Sequence, residues 1–497
     1  MHRLKLLAVV PLIALITLTS LNADNPEVVF LHWNDFHARN SAFVNSAGDS
    51  IGGYPVLAGY LDSVESNSTA PVFTLHAGDD FQGTPISTLT KGASQIRILN
   101  AIRPDAFVLG NHEFDYGRQS LDSLMNQTRF PVLAANLWDT TTDTFFTIPA
   151  AQLEKGGITV SVIGLTAPDL FQLTLPTNVQ GLEMLDAKQV VNEQAARLEA
   201  RTDLTVVLSH MGFREDSLLA ASLGSSSPVD LIIGGHSHTI LRHSHNVNGI
   251  YITQAGEHGE YLGYIRARVD TVQNSFSHFQ YTLLPVSTSG VTPRSEIAAI
   301  VDSLKSTATQ TLNTVIGTLQ TDWNRNRHGE SNLGNWLTDV MREYADADIA
   351  FQNSGGIRKD LPAGPIRIRD LWEISPFGNH FVRFHITGQQ LLKIIRHQIT
   401  DPREFLQVSG LQYRYRTGTR ELLSAQVGGT QLRPDSIYII VTNNYVHSHF
   451  EEFFGLPVSS VQRVSHLPAI DREVFTKAVR DQGTISSRIE GRIRAVD

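Results

Sequence analysis

Five short apolar runs, each ending in a crowd of polar residues, punctuate the first half of the chain. Val28-Val29-Phe30-Leu31 leads to Asp35 and His37, and Val72-Phe73-Thr74-Leu75 to Gly78-Asp79. Ala106-Phe107-Val108-Leu109 leads to Gly110-Asn111-His112-Glu113-Phe114-Asp115. Thr205-Val206-Val207-Leu208 leads to Ser209-His210, and Leu231-Ile232-Ile233 to Gly234-Gly235-His236-Ser237-His238. Runs of this length and composition predict buried strands, whose ends lie on one edge of a sheet, where sites in α/β folds form. Between the runs, Asp186 to Ala200 predicts a helix with Val190, Val191 and Leu198 on one face. Gly52-Gly53 and Thr84-Pro85 mark joints.

The pattern changes after residue 285. Ser287-Thr288-Ser289-Gly290 and Pro293 break the chain, and Ile297, Ile300, Val301 and Leu304 then keep helical spacing, which predicts a bridging helix. Beyond it Ser331 stands as N-cap of a helix whose apolar positions are Leu333, Trp336, Leu337, Val340, Met341 and Tyr344. Strands are expected at Asp348 to Phe351, Phe381 to Ile386, Leu411 to Tyr415 and Ile437 to Thr442. The resulting division is an α/β domain over 24–285, a connector over 286–320 and a smaller α+β domain over 321–497, with no internal repeat and no low-complexity tract.

Composition narrows the chemistry. A chain of 497 residues, 41% hydrophobic, can bury more than one core. A net charge of -9 without a Lys/Arg-rich run argues against a nucleic-acid polymer as partner. With zero cysteines, disulfides, thiolate sites and cysteine nucleophiles are excluded, and any metal must be held by nitrogen and oxygen. Residues 1–23 have the layout of an export signal: His2, Arg3 and Lys5, then an apolar stretch from Leu6 to Leu18, then a small and polar exit. That stretch is short against the about 20 residues of a bilayer span. A secreted or periplasmic location without a stable membrane anchor is expected.

Asp35 and His37 are one residue apart, so an extended segment puts both on one side of the chain. Asp79 follows a glycine, and a carboxylate has two oxygens with which to bridge two ions. With Asn111, His210, His236 and His238 these make seven donors, enough for two cations, and the mixture suits Zn²⁺, Mn²⁺, Fe or Co²⁺ better than Ca²⁺. Singly, each has a plainer reading: Asp35 as a turn residue, Asp79 as a cap, Asp115 as the cap of the next helix. Five successive strand ends with a donor at each are harder to obtain by chance.

Trp33-Asn34-Asp35-Phe36-His37, Gly78-Asp79, Gly110-Asn111-His112-Glu113, Ser209-His210 and Gly234-Gly235-His236-Ser237-His238 resemble the successive motifs of the calcineurin-like metallophosphoesterases. Gly110 to Asp115 is similar to the form in the 5′-nucleotidase family, which includes periplasmic UDP-sugar hydrolases and ecto-5′-nucleotidases. The resemblance implies a four-layer α/β/β/α sandwich followed by a smaller substrate-binding domain. It implies that Asp35, His37, Asp79 and His238 hold one divalent ion and Asp79, Asn111, His210 and His236 the other. It makes His112 and Asp115 a catalytic dyad beside water activated by the cations.

In the second domain, Asn353-Ser354-Gly355-Gly356-Ile357-Arg358 resembles the segment whose Arg contacts substrate, which assigns that role to Arg358. Pro376-Phe377-Gly378-Asn379 resembles a family loop and makes Asn379 a contact to base or ribose. Phe405 and Tyr445 match the two walls of a base-stacking slot. After Tyr445 the chain departs from the pattern. His447-Ser448-His449-Phe450-Glu451-Glu452 replaces a glycine-rich run, and Glu451 falls where a ribose-binding Asp is expected. The reading is an exported two-metal 5′-nucleotidase acting on small nucleotides, with a hinge at the connector. UDP-sugar hydrolysis, cyclic-nucleotide phosphodiester or 3′-nucleotide hydrolysis, and hydrolysis of a sulfur ester are the alternatives within the superfamily. A non-catalytic secreted nucleotide-binding protein is the alternative of another class.

Overall fold

The computed structural model describes residues 25–45 and 47–497. The expected export signal, 1–23, lies outside them. Two six-stranded sheets build the first part of the molecule. In one, the order is Ser275–Pro285, Tyr261–Asp270, Glu27–Trp33, Val72–His76, Ala106–Val108, Val132–Leu133. In the other it is His245–Val247, Ile250–Thr253, Leu231–Ile233, Leu204–Ser209, Ile158–Leu165, Ala150–Lys155.

Side-chain alternation explains the stacking. From Glu27–Trp33, Val28 and Phe30 enter a core shared with Val160, Val162, Val206, Leu208, Leu231 and Ile233 of the other sheet. Val29, Leu31 and Trp33 enter a second core with helices Tyr54–Asn67 and Ala93–Ile102. On the far side, Ile163, Leu165, Val207 and Ile232 pack with Val190, Val191, Leu219 and Ala220 of helices Ala187–Leu198 and Phe213–Leu223. The result is the expected four-layer α/β/β/α sandwich. Helix Ala187–Leu198 starts where the sequence predicts, with Asp186 accepting a hydrogen bond from Gln189 N–H at 2.8 Å.

One expectation is corrected. The five donor-bearing runs do not share a single sheet edge: three lie in the first sheet and two in the second. Leu204–Ser209 and Leu231–Ile233 pair in parallel with each other, flanked by Ile158–Leu165 and Ile250–Thr253. The antiparallel hairpin of Ala150–Lys155 with Ile158–Leu165 starts that separate sheet.

Helix Ser295–Asn313 lies in the expected connector and packs Ile297 and Val301 into the core beneath the first sheet. Val315–Leu319 already pairs with Gly364–Arg367 and Thr484–Ile485. Beyond it, a five-stranded sheet runs Leu406–Ser409, Ile349–Asn353, Ile437–Asn443, His380–Thr387, Gln462–Ile470. Helices Asn332–Tyr344 and Asp471–Gln482 cover one face, and Gly388–Thr400 with Phe450–Phe454 cover the other. Among the described residues no helix is long and apolar enough to cross a membrane.

Ser331 caps Asn332–Tyr344 by accepting from Gly334 N–H at 2.9 Å, and it is buried. Ser331→Ala should lower unfolding free energy by about 1 kcal/mol, read as a shifted urea midpoint; an unchanged midpoint would show that the cap contributes nothing.

Candidate metal centre and substrate cavity

Backbone pairing carries on past the strand ends and builds the crevice. Glu27–Trp33 runs parallel to Val72–His76. Beyond both, Asp35 N–H donates to Gly78 O at 2.9 Å and His37 N–H to Asp79 O at 3.0 Å. Asp35, His37, Asp79, His236 and His238 all adopt left-handed backbone, with φ of 49, 50, 60, 72 and 52°. Non-glycine residues rarely sit there, and such positions cluster at functional sites. Gly110 permits a close approach: a Cβ on it would lie 2.1 Å from Asp79 Oδ1 and 2.8 Å from His210 Nε2.

Two groups of donors form across the gap between the sheets. In the first, Asp35 Oδ1 lies 4.0 Å from His37 Nε2 and 3.3 Å from His238 Nε2, and the two imidazole nitrogens face each other at 3.1 Å. In the second, Asp79 Oδ2 lies 3.1 Å from His210 Nε2, with a ring nitrogen of His236 within 4.8 Å of both partners. A tetrahedral ion with bonds of 2.0–2.1 Å spaces its donors by about 3.4 Å, so these groups could each hold a cation. Asn111 Oδ1 and His210 Nε2 are buried without a hydrogen-bond partner among the described residues, which is the condition a cation relieves. His210 Nδ1 lies 2.6 Å from Ala77 O. With the proton on Nδ1, the Nε2 lone pair is left facing the carboxylates.

The charges explain the titration shifts. Burial disfavours protonation of His210, but Asp79 and Asp35 override it and raise its pKa to about 10. His112 is likewise resisted by burial, and Asp79 and Asp115 bring it up to about 9. His112 Nδ1 is 2.8 Å from Asp115 Oδ2, and its ring lies 5.3 Å from that of His37. Asp115 does not cap the next helix, which begins after Gly117.

Glu113 is a residue that the sequence reading passed over. Its carboxylate, 1% exposed, accepts backbone N–H groups of Asp79, Asp80, Phe81 and Gly110 at 3.0, 2.7, 3.2 and 2.7 Å. Burial and the Asp79 charge push its pKa up to about 7, while the donors favour the ionised form. It ties the Asp79 loop to the Asn111 loop. Little in the local sequence separates such a Glu from a solvated one, since three of its four partners lie 32 to 34 positions away.

In the second part of the chain, Arg358, Asn379 and Tyr445 line one cavity of ≈ 410 Å³, together with Arg327, Phe377 and Glu404. Phe377 is exposed, with the Arg358 guanidinium carbon 5.7 Å from its ring centre. Phe405 does not line this cavity. It borders a neighbouring one of ≈ 560 Å³ with Tyr413 and Tyr415, and the two cavities share Arg327 and Glu404. Phe405 enters strand Leu406–Ser409, and its carbonyl accepts Ser354 N–H at 3.0 Å, which fixes the backbone between the two cavities.

Glu451 is also away from the cavity. The run without glycines folds into two short helices, Asn444–Ser448 and Phe450–Phe454. Phe450, Phe453 and Phe454 turn inward at helical spacing, which leaves Glu451 and Glu452 exposed. The carboxylate that does reach the cavity is Glu404, held by Asn353 Nδ2 at 2.6 Å and Gly355 N–H at 3.1 Å.

Comparison with known proteins adds independent findings. Residues 28–239 match the family model for calcineurin-like phosphoesterase, and residues 310–456 match that for the 5′-nucleotidase C-terminal domain. The 5′-nucleotidase of Vibrio parahaemolyticus is 30% identical over 480 residues, covering 85% of this chain and 84% of its own. Endonuclease YhcR of Bacillus subtilis is 28% identical over 397 residues, and the match spans 75% of this chain but only 32% of that relative. Among solved structures, a 5′-nucleotidase precursor from Thermus thermophilus superposes with a TM-score of 0.61 and 27% identity, covering 95% of this chain and 99% of its own.

Glu113→Ala would leave four backbone donors without their acceptor. We expect a stability loss on the order of 3 kcal/mol, visible in thermal melting; an unchanged melting temperature would show that the clasp is dispensable.

Proposed function

Because the chain belongs to the 5′-nucleotidase family of calcineurin-like metallophosphoesterases, we propose that this phosphoric ester hydrolase is a two-metal enzyme that removes phosphate from extracytoplasmic nucleotides. One observation carries the reading: two groups of donors, Asp35 with His37 and His238, and Asp79 with His210 and His236, stand beside the His112–Asp115 pair. In this proposal Asp79 joins the two cation sites and Asn111 completes the second. Bound divalent cations, with Zn, Mn, Co or Fe as candidates, would polarise phosphoryl oxygens and supply a nucleophile from water near neutral pH.

The remaining steps belong to the chain's own side chains. Asp115 holds His112 at Nδ1, which leaves Nε2 to meet the phosphoryl or leaving-group oxygen as charge builds there. Asp115, held at Nδ1, favours the protonated form of that imidazole, so it can stabilise charge or donate a proton. Arg358 and Arg327 supply positive charge at the second cavity, and the Tyr445 ring offers a stacking face for a base. Glu404 replaces Glu451 as the carboxylate near the sugar. The donor groups and this cavity are carried by different parts of the chain, and in this proposal helix Ser295–Asn313 between them lets the two approach during turnover. A secreted or periplasmic location rests on the character of residues 1–23.

A second reading, hydrolysis of a nucleotide diester or diphosphate, draws support from the altered 447–452 run, since Glu451 is not among the residues that line the cavity with Arg358 and Tyr445. A panel of AMP, UDP-glucose, 2′,3′-cyclic AMP and a dinucleotide, each with Mn²⁺, Zn²⁺ or Co²⁺, separates the two. We expect AMP to be turned over fastest; no hydrolysis of any of them would overturn the reading. His112→Ala should lower kcat by about 10²–10⁴-fold at unchanged metal content, and a wild-type rate would remove the dyad. Asp115→Asn removes one of the charges that raise the His112 pKa. The alkaline fall in kcat/KM, where the imidazolium is lost, should therefore move to lower pH; an unmoved limb would exclude His112 as the titrating acid.

A further inference from the structure

The four imidazoles of the two donor groups are not backed alike. His210 Nδ1 meets the Ala77 carbonyl at 2.6 Å. His236 Nε2 stands 3.5 Å from Asp169 Oδ1, and His37 Nδ1 is buried without a partner among the described residues. Of these four rings, His238 has a carboxylate at close hydrogen-bond distance: its Nδ1 lies 2.7 Å from Glu257 Oε2.

The Glu257 side chain is 38% exposed, but its place beside the ring is set by the backbone that carries it. The backbone on both sides of it is pinned to the segment that carries Asp35. Asn34 Oδ1 accepts Ala255 N–H at 2.9 Å, and Asn34 Nδ2 donates to Gly256 O at 2.6 Å. His258 N–H donates to Asp35 O at 2.8 Å. Asp35 and His238 belong to the same donor group. One short stretch therefore fixes the carboxylate ligand and the group that holds the imidazole ligand in a single frame.

We propose that Glu257 is a positioning residue for the first cation site, holding the Nδ1–H of His238 so that Nε2 is presented as a strengthened donor and the site favours Zn²⁺ or Co²⁺ over Mn²⁺ or Mg²⁺. A carboxylate behind a ligating imidazole fixes its tautomer and orientation and raises its basicity. Imidazole-rich sites favour the later transition ions, whereas sites of carboxylate, carbonyl and water favour Mg²⁺ and Mn²⁺. Of the two groups, the one containing His238 would then discriminate more sharply between metals. The inference rests on the two-site reading proposed above.

Metal titration of the full chain after chelator treatment, against a competing chromophoric chelator, tests it without an activity assay. Wild type should take up two Zn²⁺ per chain. Glu257→Ala should weaken one of the two sites by about 10–100-fold, leave the other unchanged, and shrink the Zn²⁺-over-Mn²⁺ preference. With Co²⁺ as probe, the visible absorption of the weakened site should change. Glu257→Gln, which can still accept from Nδ1–H but carries no charge, should fall between the two. The retained site reports that each variant is folded. Affinities in Glu257→Ala equal to those of wild type at both sites, with the same Co²⁺ absorption, would overturn the proposal and leave the two-site reading standing. Failure of wild type to bind two ions would overturn that reading itself.

Discussion

Two carboxylates held out of solvent set the terms for the whole molecule. Asp35 is 0% and Asp79 2% exposed, at the mouth of a crevice between two sheets. Buried ionised carboxylates are costly unless positive charge and hydrogen bonds compensate them. Part of the compensation is local: Asn34 Nδ2 and His236 N–H donate to Asp35, and His112 N–H donates to Asp79. The rest is imidazole, drawn in from four of the five strand ends as His37, His112, His210, His236 and His238. The raised pKa values of His210 and His112 report the sign of the field there. The carboxylates that favour a proton on these two rings would equally attract a divalent cation, while burial lowers the pKa of His37 and His236 and leaves their ring nitrogens available as donors.

The layered architecture follows from the need to bring these groups together. Strands buried on both faces carry no polar side, so they can be flanked by helices on one side and a second sheet on the other. The donors sit where the strands end. Each of the two groups assigned to a cation draws on both sheets: Asp35 and His37 follow strands of one and His238 a strand of the other, while Asp79 meets His210 and His236 across the same gap.

Much of this could be read along the chain. The run-then-donor pattern located all five strands, and Asp186 and Ser331 marked two helix starts that the structure reproduces. The division of the five runs between two sheets was not legible, because a fully apolar run such as Leu231-Ile232-Ile233 has no polar face to say which neighbour it takes. Glu113 and Glu257 escaped notice for a related reason: a carboxylate is recognised as structural only when its distant partners are known. The stretch from His447 to Glu452 misled differently. Position relative to Tyr445 suggested a contact for Glu451, but the spacing of Phe450, Phe453 and Phe454 decides the local helix and so the direction in which the acid points. Phe405 shows the same limit, since matching a motif does not say on which side of a strand entrance a ring will lie.

The left-handed backbone at Asp35, His37, Asp79, His236 and His238 also restricts which replacements these positions can accept over evolutionary time. Asparagine and glycine enter that region at little cost, whereas β-branched residues do not. Drift away from any of the five would therefore pass most easily through asparagine, which keeps an oxygen donor in place, or through glycine, which keeps only the path of the chain. The local conformation acts as a filter on mutation, separate from selection on chemistry: it admits a weaker ligand more readily than a bulky apolar substitute.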